Sequence, residues 1–288
     1  MGIVQGKRAL VVGVANDKSL AWSIAQTLAA EGAEVAMTYQ GEILEKRVRP
    51  LAAQIEADVI GELDVNDDTQ IASVFAALKK KWDGLDLLVH AVAFAEREDL
   101  RDRFLTVSRE NFKKSLEISA YSLVALARAA EPLMEARGGG SILTLSYLGA
   151  VRAIPNYNMM GVAKAALEAC VRYLSVDLGV KNIRVNALSA GPARTLSSSA
   201  IRDFHSMQHE VEARIVEQLV WHEVDAEIPR GIAPRAALDA DDVEPLLGQL
   251  VGDDCPRPAQ SDDDDIGSGE LVGHGPTSRC SSRRAPSG

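Results

Sequence analysis

The amino-acid sequence predicts an α/β fold built around a parallel sheet. Through residues 1–190, short apolar runs alternate with longer stretches whose apolar side chains recur at helical spacing. Six runs have the length and composition of buried strands, at residues 8–12, 34–39, 58–63, 85–89, 141–145 and 183–188. Because parallel strands are joined by right-handed crossovers, the intervening helices cover both faces of the sheet. These observations predict a single-domain, doubly wound, Rossmann-like architecture.

Five helices are expected between these strands. The first follows from the spacing of Leu20, Ile24 and Leu28, a pattern that stops at Gly32. The other four are expected at residues 44–55, 71–78, 111–136 and 158–178. Strands and helices thus alternate along the chain, as a parallel sheet requires.

The composition is ordinary for a globular protein and excludes several classes. Of the 288 residues, 47% are hydrophobic and 25% are charged, which rules out collagen-like, coiled-coil and wholly disordered chains. We find neither a run of the roughly 20 apolar residues of a membrane span nor a secretory h-region. The cysteines, Cys170, Cys255 and Cys280, are scattered and odd in number, so no disulfide framework or zinc site is expected. We therefore expect a cytoplasmic protein without a metal.

The charge pattern divides the chain at about residue 210. Residues 1–210 carry 24 Lys and Arg against 25 Asp and Glu, whereas residues 211–288 carry 7 Arg, no Lys and 16 Asp and Glu. No basic stripe is present, so nucleic-acid binding is not expected. A helical pattern persists over residues 211–224, and the remaining tail, rich in Asp, Ser, Pro and Gly, is expected to be mostly disordered. The Asp run at residues 262–265 is interpreted as solvated rather than metal-binding.

The first predicted strand ends in small residues, Gly13-Val14-Ala15, shortly before a helix. In dinucleotide-binding folds such a turn lets the backbone approach a pyrophosphate, and the helix N-terminus offers free N–H groups. The G-x-G-x-x-G pattern is absent, so an ordinary strand-to-helix turn is the alternative interpretation. At the end of the third strand, Asp64 and Val65 could contact adenine, or Asp64 could simply end the strand.

Gln40 follows the second strand, where nucleotide-binding folds recognise the adenosine ribose. The Gln40 amide can hydrogen-bond ribose hydroxyls, and no cation directly follows it to neutralise a 2′-phosphate. The sequence therefore predicts NADH in preference to NADPH.

Tyr147, Tyr157 and Lys164 form the most informative cluster. Tyr157 and Lys164 are seven residues apart, about two helical turns, so on a helix they share one face. A lysine there can bind a ribose hydroxyl, and its charge favours ionisation of the phenol and makes it a better proton donor. Tyr147 ends the fifth strand, at the edge where such sheets bind ligands. A Tyr and a Lys at this spacing are often surface residues, but their place behind a predicted nucleotide site indicates function.

The run from Thr144 to Leu167 resembles the active-site region of bacterial enoyl-acyl-carrier-protein reductases that use NADH. These enzymes are divergent members of the short-chain dehydrogenase/reductase family, and the resemblance covers residues 1–210. Six residues separate Tyr157 from Lys164, where ordinary short-chain dehydrogenases have three. Further matching segments lie at residues 6–8, 13–15, 38–40, 119–122 and 184–196.

The resemblance implies a cofactor site, a substrate site and a catalytic set. The implied NADH contacts are Gly13, Ala15, Ser19, Leu20, Gln40, Asp64, Val65, Val92, Lys164, Ala193, Thr195 and Leu196. The implied substrate contacts are Ala95, Tyr147 and Tyr157, beneath a mobile lid at about residues 196–207. The implied catalytic residues are Tyr147, Tyr157 and Lys164.

The implied reaction belongs to fatty-acid biosynthesis. A hydride passes from NADH to the β-carbon of a trans-2-enoyl thioester carried by acyl carrier protein, and Tyr157 stabilises the enolate. The family also implies a homo-oligomer, a tetramer. Two alternatives stand beside this interpretation: another short-chain reductase that acts on a carbonyl, and a catalytically defective nucleotide-binding chain.

The chain departs from the family after residue 210. Family members continue with a helix and a last parallel strand, of which Asp241–Val243 and Gly269–Val272 are faint echoes. Loss of that strand would leave a sheet edge unpaired. A frame change near residue 213 and genuine divergence are both open explanations. We expect a reductase domain at residues 1–210 and a separate tail at residues 211–288.

Overall fold

A computed structural model of the chain describes residues 2–191. Within them six strands form one sheet: β1 Arg8–Val12, β2 Glu34–Tyr39, β3 Asp58–Glu62, β4 Leu87–His90, β5 Gly140–Ser146 and β6 Ile183–Ser189. All neighbouring strands are parallel, in the order β3-β2-β1-β4-β5-β6. The predicted doubly wound, Rossmann-like sheet is confirmed, and every predicted strand is present with its ends shifted by two residues at most.

Helices and short turns connect the strands. The α-helices of the described region are α1 Leu20–Ala30, α2 Gly41–Gln54, α3 Asp68–Lys81, α4 Arg109–Leu116, α5 Ser122–Glu135 and α6 Asn158–Gly179. Short 3₁₀ turns lie at Glu98–Leu100, Phe104–Thr106 and Leu148–Ala150. Each crossover returns the chain to the same edge of the sheet, which brings the carboxyl ends of all strands together.

The helix predicted over residues 111–136 is two helices, α4 and α5, joined by a π-helical turn at Glu117–Tyr121. Ser119 in this turn accepts a hydrogen bond from the Phe94 N–H at 2.8 Å, and Ser122 donates to the Ile118 carbonyl at 2.6 Å. Serine hydroxyls that bond to the backbone compete with regular helical geometry. Apolar periodicity does not register such a turn, and π-turns often lie beside functional sites.

The direction of winding reverses between β1 and β4. β1 pairs with β2 on one side and with β4 on the other, and the register sets Val12 opposite His90. Just beyond the strands, the Ala91 N–H donates to the Val12 carbonyl at 2.9 Å. The loops that leave these two strands run to opposite faces, which opens a crevice at the carboxyl edge of the sheet.

Apolar layers cover both faces of the sheet. Leu10 and Val12 pack on the side of α3 and α5, whereas Ala9 and Val11 pack on the side of α1 and α2. This alternation follows from the two-residue period of a strand. Burial on both faces explains why the strands read as almost continuous apolar runs in the sequence.

Among residues 2–191, no helix is long and apolar enough to cross a membrane. The predicted lid at residues 196–207, the helical pattern at residues 211–224 and the tail at residues 211–288 lie outside the described residues.

Candidate active site

A cavity of about 630 Å³ lies at the carboxyl edge of the sheet. The predicted site residues on its wall are Gly13, Ala15, Ser19, Leu20, Gln40, Asp64, Val65, Val92, Tyr147, Tyr157 and Lys164. Ala95 is not on the wall, whereas its neighbour Phe94 is, held at its N–H and carbonyl by the Ser119 hydroxyl. The remaining predicted contacts, Ala193, Thr195 and Leu196, lie outside the described residues.

Gly13 permits the closest backbone approach at this cavity. Its φ of +107° is unfavourable for any residue with a side chain, and an added Cβ would lie 2.2 Å from the Ala91 carbonyl oxygen. Glycine is therefore required where the β1 turn crosses the end of β4, and this position forms one wall of the crevice.

The N-terminus of α1 faces the cavity with its first turn. The Ser19 hydroxyl donates to the Asn16 carbonyl at 2.6 Å and does not cap the helix. Leu20 and Ala21, in the first turn, line the cavity, and the first turn contains no acidic residue. Exposed amides and the helix dipole favour an anion at such a terminus, so this end suits a phosphate group.

Gln40 lies at the start of α2, beside an acidic side chain. The Gly41 N–H, the first of the helix, donates to Glu62 Oε1 at 3.2 Å. The nearby cation, Arg49, lies over the Tyr39 ring and pairs with Glu45 at 2.6 Å. The cavity wall carries the Gln40 amide and the Asp64 carboxylate, whereas Arg49 is not on the wall and is already paired with Glu45.

Lys164 lies in the second turn of α6 and is only 7% exposed. Its Nζ donates to the Leu145 carbonyl at 2.6 Å, which takes one of the three ammonium donors. Burial lowers the pKa of Lys164 to about 8, and the negative charge of Glu168 opposes that shift. The amine is thus a buried cation on the cavity wall with hydrogen-bonding capacity beyond its carbonyl partner.

Tyr157 directly precedes α6 rather than lying within it, but its backbone is helical, with φ −81° and ψ −26°. Its ring meets the Tyr147 ring edge-on, with 4.8 Å between centroids and 64° between planes. Burial first, and Tyr147 second, raise the pKa of Tyr157 above its ordinary value. Desolvation thus outweighs the ionising effect expected of the Lys164 charge, and the phenol stays a neutral donor in the free protein.

Gly149 makes room for the Tyr157 ring. A Cβ at this position would lie 2.3 Å from Cδ1 of Tyr157. The 3₁₀ turn after β5 can therefore lie against the start of α6 only if residue 149 is glycine. Gly149 was not singled out from the sequence, because the need for glycine there becomes visible only when the 3₁₀ turn packs against the Tyr157 ring.

His90 ties together the base of the cavity. It is fully buried, with Nδ1 2.7 Å from the Thr144 hydroxyl and Nε2 2.8 Å from the Ser122 hydroxyl. Because Ser122 donates to the Ile118 carbonyl, we assign the proton to Nε2, so that Nδ1 accepts from Thr144. Burial, and then the charge of Lys164, lower the pKa of His90 to about 3. His90 is therefore a neutral link between β4, β5 and α5.

A doubly wound parallel sheet with a glycine turn, a buried lysine and a buried tyrosine on one crevice fits an α/β dinucleotide-dependent reductase. A family model described as Enoyl-(Acyl carrier protein) reductase matches residues 13–224. The chain belongs to this family.

Relatives and solved structures agree with this assignment. The chain is 56% identical over 206 residues to the NADH enoyl-[acyl-carrier-protein] reductase FabI of Rickettsia bellii, covering 72% of this chain and 78% of the relative. It is 49% identical over 232 residues to enoyl-[acyl-carrier-protein] reductase [NADH] 1 of Rhizobium meliloti, covering 81% and 80%. The NADH enoyl reductase structure from Aquifex aeolicus gives a TM-score of 0.76 at 40% identity, covering 88% of this chain and 91% of that one. A structure of the Anaplasma phagocytophilum enzyme in complex with NAD gives 0.71 at 46% identity, covering 86% and 88%.

Proposed function

We propose that this chain is an NADH-dependent enoyl-acyl-carrier-protein reductase of fatty-acid biosynthesis, with Tyr157 and Lys164 at the reacting end of its site. The observation that carries the proposal is that one cavity joins the Gly13 turn to both of these residues. Such a cavity combines an anion-binding helix terminus with a buried donor and a buried cation. That combination suits a dinucleotide together with a substrate whose carbonyl gains negative charge.

The residues of the wall fit the cofactor. The Gly13 turn and the N-terminus of α1 suit a pyrophosphate, Gln40 suits the adenosine ribose, and Lys164 has donors for the nicotinamide ribose. When bound, NADH supplies the hydride. The remaining assignments rest on family resemblance. They place Asp64 and Val65 beside adenine, Val92 beside the nicotinamide, and Ala193, Thr195 and Leu196 beside the carboxamide and pyrophosphate.

Tyr157 acts as a hydrogen-bond donor to the thioester carbonyl. Its raised pKa keeps the phenolic proton in place at neutral pH. As the β-carbon is reduced, negative charge develops on the carbonyl oxygen, and a fixed donor in a water-poor site stabilises that charge. The edge contact with Tyr147 restricts the ring of Tyr157, and the Lys164 cation adds a favourable potential. Protonation of the α-carbon completes the reduction.

The chain's partners are proposed to be acyl carrier protein, which presents the enoyl thioester, and further copies of the chain, as a tetramer. Apolar side chains are exposed along the second half of α6 and just beyond it, with Tyr173 at 78% and Val180 at 87% exposure. Such a stripe suits an interface between copies. Sedimentation of the chain and of Tyr173→Asp checks this association. The scattered cysteines fit a reducing compartment, and we place the activity in the cytoplasm.

The test is NADH oxidation by the full-length chain with crotonyl thioesters of acyl carrier protein or coenzyme A. We expect turnover with the enoyl substrate, none with a 3-oxoacyl thioester, and loss of turnover in Lys164→Ala. Preference for the 3-oxoacyl thioester would favour a carbonyl reductase instead. A chain that binds NADH but reduces neither substrate would be the catalytically defective alternative.

A further inference from the structure

Two side-chain contacts, one helical turn apart, join the carboxyl end of β5 to α6. Lys164 Nζ donates to the Leu145 carbonyl at 2.6 Å, and the Ser146 hydroxyl donates to Glu168 Oε1 at 2.5 Å. Lys164 and Glu168 are four residues apart and so lie on one face of α6, where they contact the backbone carbonyl of Leu145 and the side chain of the next residue, Ser146. Ser146 directly precedes Tyr147, so these contacts fix the strand end that carries one of the two tyrosines.

The second contact is shielded from water. Ser146 is 5% exposed, and Glu168 is half-buried beside it. Lys164 is itself almost fully buried, which disfavours its charged form. The Glu168 carboxylate is the charge that counteracts this effect on the pKa of Lys164. In a site with little water, an anion held in place acts more strongly than one that moves in solvent.

Other titratable groups lie on the elements packed against α6. Within the described region they are Tyr147 after β5, Glu98 and Asp99 in the first 3₁₀ turn, Arg109, Glu110, Lys113 and Lys114 on α4, Glu117 and Tyr121 in the π-helical turn, Arg128, Glu131 and Glu135 on α5, and Arg184 on β6, together with His90 on β4, whose pKa the Lys164 charge affects. Burial keeps His90 neutral and raises the pKa of Asp99. Lys114 pairs with Glu96 at 2.8 Å, and Glu117 is exposed. Glu168 is the acidic group whose charge raises the pKa of Lys164.

We propose that Glu168, held by the Ser146 hydroxyl, is a positioning residue that keeps Lys164 protonated and seated on the Leu145 carbonyl. This inference rests on the proposed role of Lys164 at the nicotinamide ribose. Glu168 does not line the cavity, so it acts through Lys164 rather than on a ligand directly. Without its charge, a lysine buried to this degree would be largely neutral near pH 8 and would lose its electrostatic effect on the enolate.

Two substitutions separate the charge of Glu168 from its hydrogen bond. Glu168→Gln keeps an amide oxygen that can accept from Ser146 but removes the negative charge. Ser146→Ala keeps the charge but releases the carboxylate. Glu131→Gln is the matched control, because Glu131 pairs with Lys181 at 2.9 Å and does not line the cavity.

The readout is the titration of Lys164 in the full-length protein, followed by competitive acetylation with acetic anhydride from about pH 6 to about pH 10 and peptide mass spectrometry. The other nine lysines are internal references. The pH profile of kcat/KM with NADH and crotonyl coenzyme A is recorded for the same variants.

We expect Glu168→Gln to move both the titration of Lys164 and the alkaline limb of kcat/KM to lower pH by about one unit. Ser146→Ala is expected to move them in the same direction by less, and Glu131→Gln to move neither. Unchanged titration of Lys164 in Glu168→Gln overturns the proposal; if that variant does not fold, unchanged titration in Ser146→Ala does so. If Lys164→Ala retains full turnover, the proposed role of Lys164 fails, whereas a shifted titration in Glu168→Gln still establishes the effect of Glu168 on the amine.

Discussion

The two ends of the cavity present different chemical groups to a ligand. At the end formed by the Gly13 turn and the start of α1, the recognition groups are backbone amides and a glycine that allows close approach. At the end formed by Tyr147, Tyr157 and Lys164, the recognition groups are buried side chains, and the pKa values of Tyr157 and Lys164 are displaced. Backbone geometry thus determines what the first end can bind, whereas desolvation determines the protonation states at the second end.

This difference explains how one crevice can both bind and react. A helix terminus attracts an anion without any titratable group, so binding there depends little on pH. A buried phenol and a buried ammonium interact strongly with developing charge because little water screens them. We therefore expect substitutions at the first end to affect mainly cofactor affinity, and loss of the Tyr157 phenol at the second end to affect mainly turnover.

The largest expected effect belongs to Tyr157→Phe. Loss of the phenolic donor removes stabilisation of the charge on the carbonyl oxygen, and kcat should fall by about 10² to 10³. The dissociation constant of NADH should stay within about twofold, because the ring and its contact with Tyr147 remain. Stopped-flow turnover and NADH fluorescence titration measure the two quantities. A large loss of NADH affinity with unchanged kcat would reverse the assignment of the two ends.

Gly13→Ala tests the opposite end. The φ of +107° and the 2.2 Å approach to the Ala91 carbonyl force the backbone to move, at a cost of about 1–3 kcal/mol. We expect NADH affinity to fall by about tenfold or more and Tm to fall by several degrees, while kcat at saturating NADH changes less.

Gly179→Ala is the control for that substitution. Gly179 ends α6, and a Cβ there meets no atom within 4 Å, so we expect no loss of stability. A Gly13→Ala protein that binds NADH as the unaltered chain does would show that the close approach is dispensable.

The sequence predicts the first end of the cavity better than the second. Gly13 and Gln40 follow strands whose apolar runs are visible, so topology alone places them on the carboxyl edge. The spacing of Tyr157 and Lys164 likewise places both on one cavity. The raised pKa of Tyr157 could not be predicted, because it depends on burial by residues that are distant in sequence. The Ser146–Glu168 contact joins a strand to a helix, and no periodic pattern reports such a pairing.

A third prediction concerns pH and His90. The pKa of His90 is lowered to about 3 in the folded chain, from an unfolded value near 6.5. Between these two pKa values the unfolded chain binds a proton at His90 that the folded chain does not bind. The contribution of His90 to the free energy of unfolding is therefore fully present above about pH 6.5 and is lost as the pH decreases towards 3. We expect protonation of His90 in the unfolded chain to lower the free energy of unfolding by about 2 kcal/mol at about pH 5, relative to neutral pH.

Urea denaturation at neutral and at acidic pH measures that loss. His90→Gln lowers stability at every pH, since it disturbs the contacts with Thr144 and Ser122, but it should remove the part of the pH dependence that His90 contributes. An equal pH dependence in both proteins would show that His90 is not the proton-linked group.

The smallest expected effect is a change of cofactor preference at the start of α2. A 2′-phosphate needs a cation or free amides, yet position 40 carries a neutral amide and the Gly41 N–H already donates to Glu62. Gln40→Arg should therefore raise the ratio of kcat/KM for NADPH to that for NADH by roughly tenfold. Glu62→Gln should raise this ratio by only a few-fold more, because the charge of an exposed carboxylate is partly screened by salt.

The combination of Gln40→Arg with Glu62→Gln decides whether charge alone governs the preference between NADPH and NADH. Glu34→Gln is the control, because it removes an exposed carboxylate at the opposite edge of the sheet, where β2 begins, and should leave the ratio unchanged. Added salt should reduce the contribution of Glu62 more than that of the arginine at position 40, which would contact the phosphate directly. If the unaltered chain already uses both cofactors equally well, Gln40 does not discriminate between them, and recognition of the ribose must come from backbone groups of the same turn.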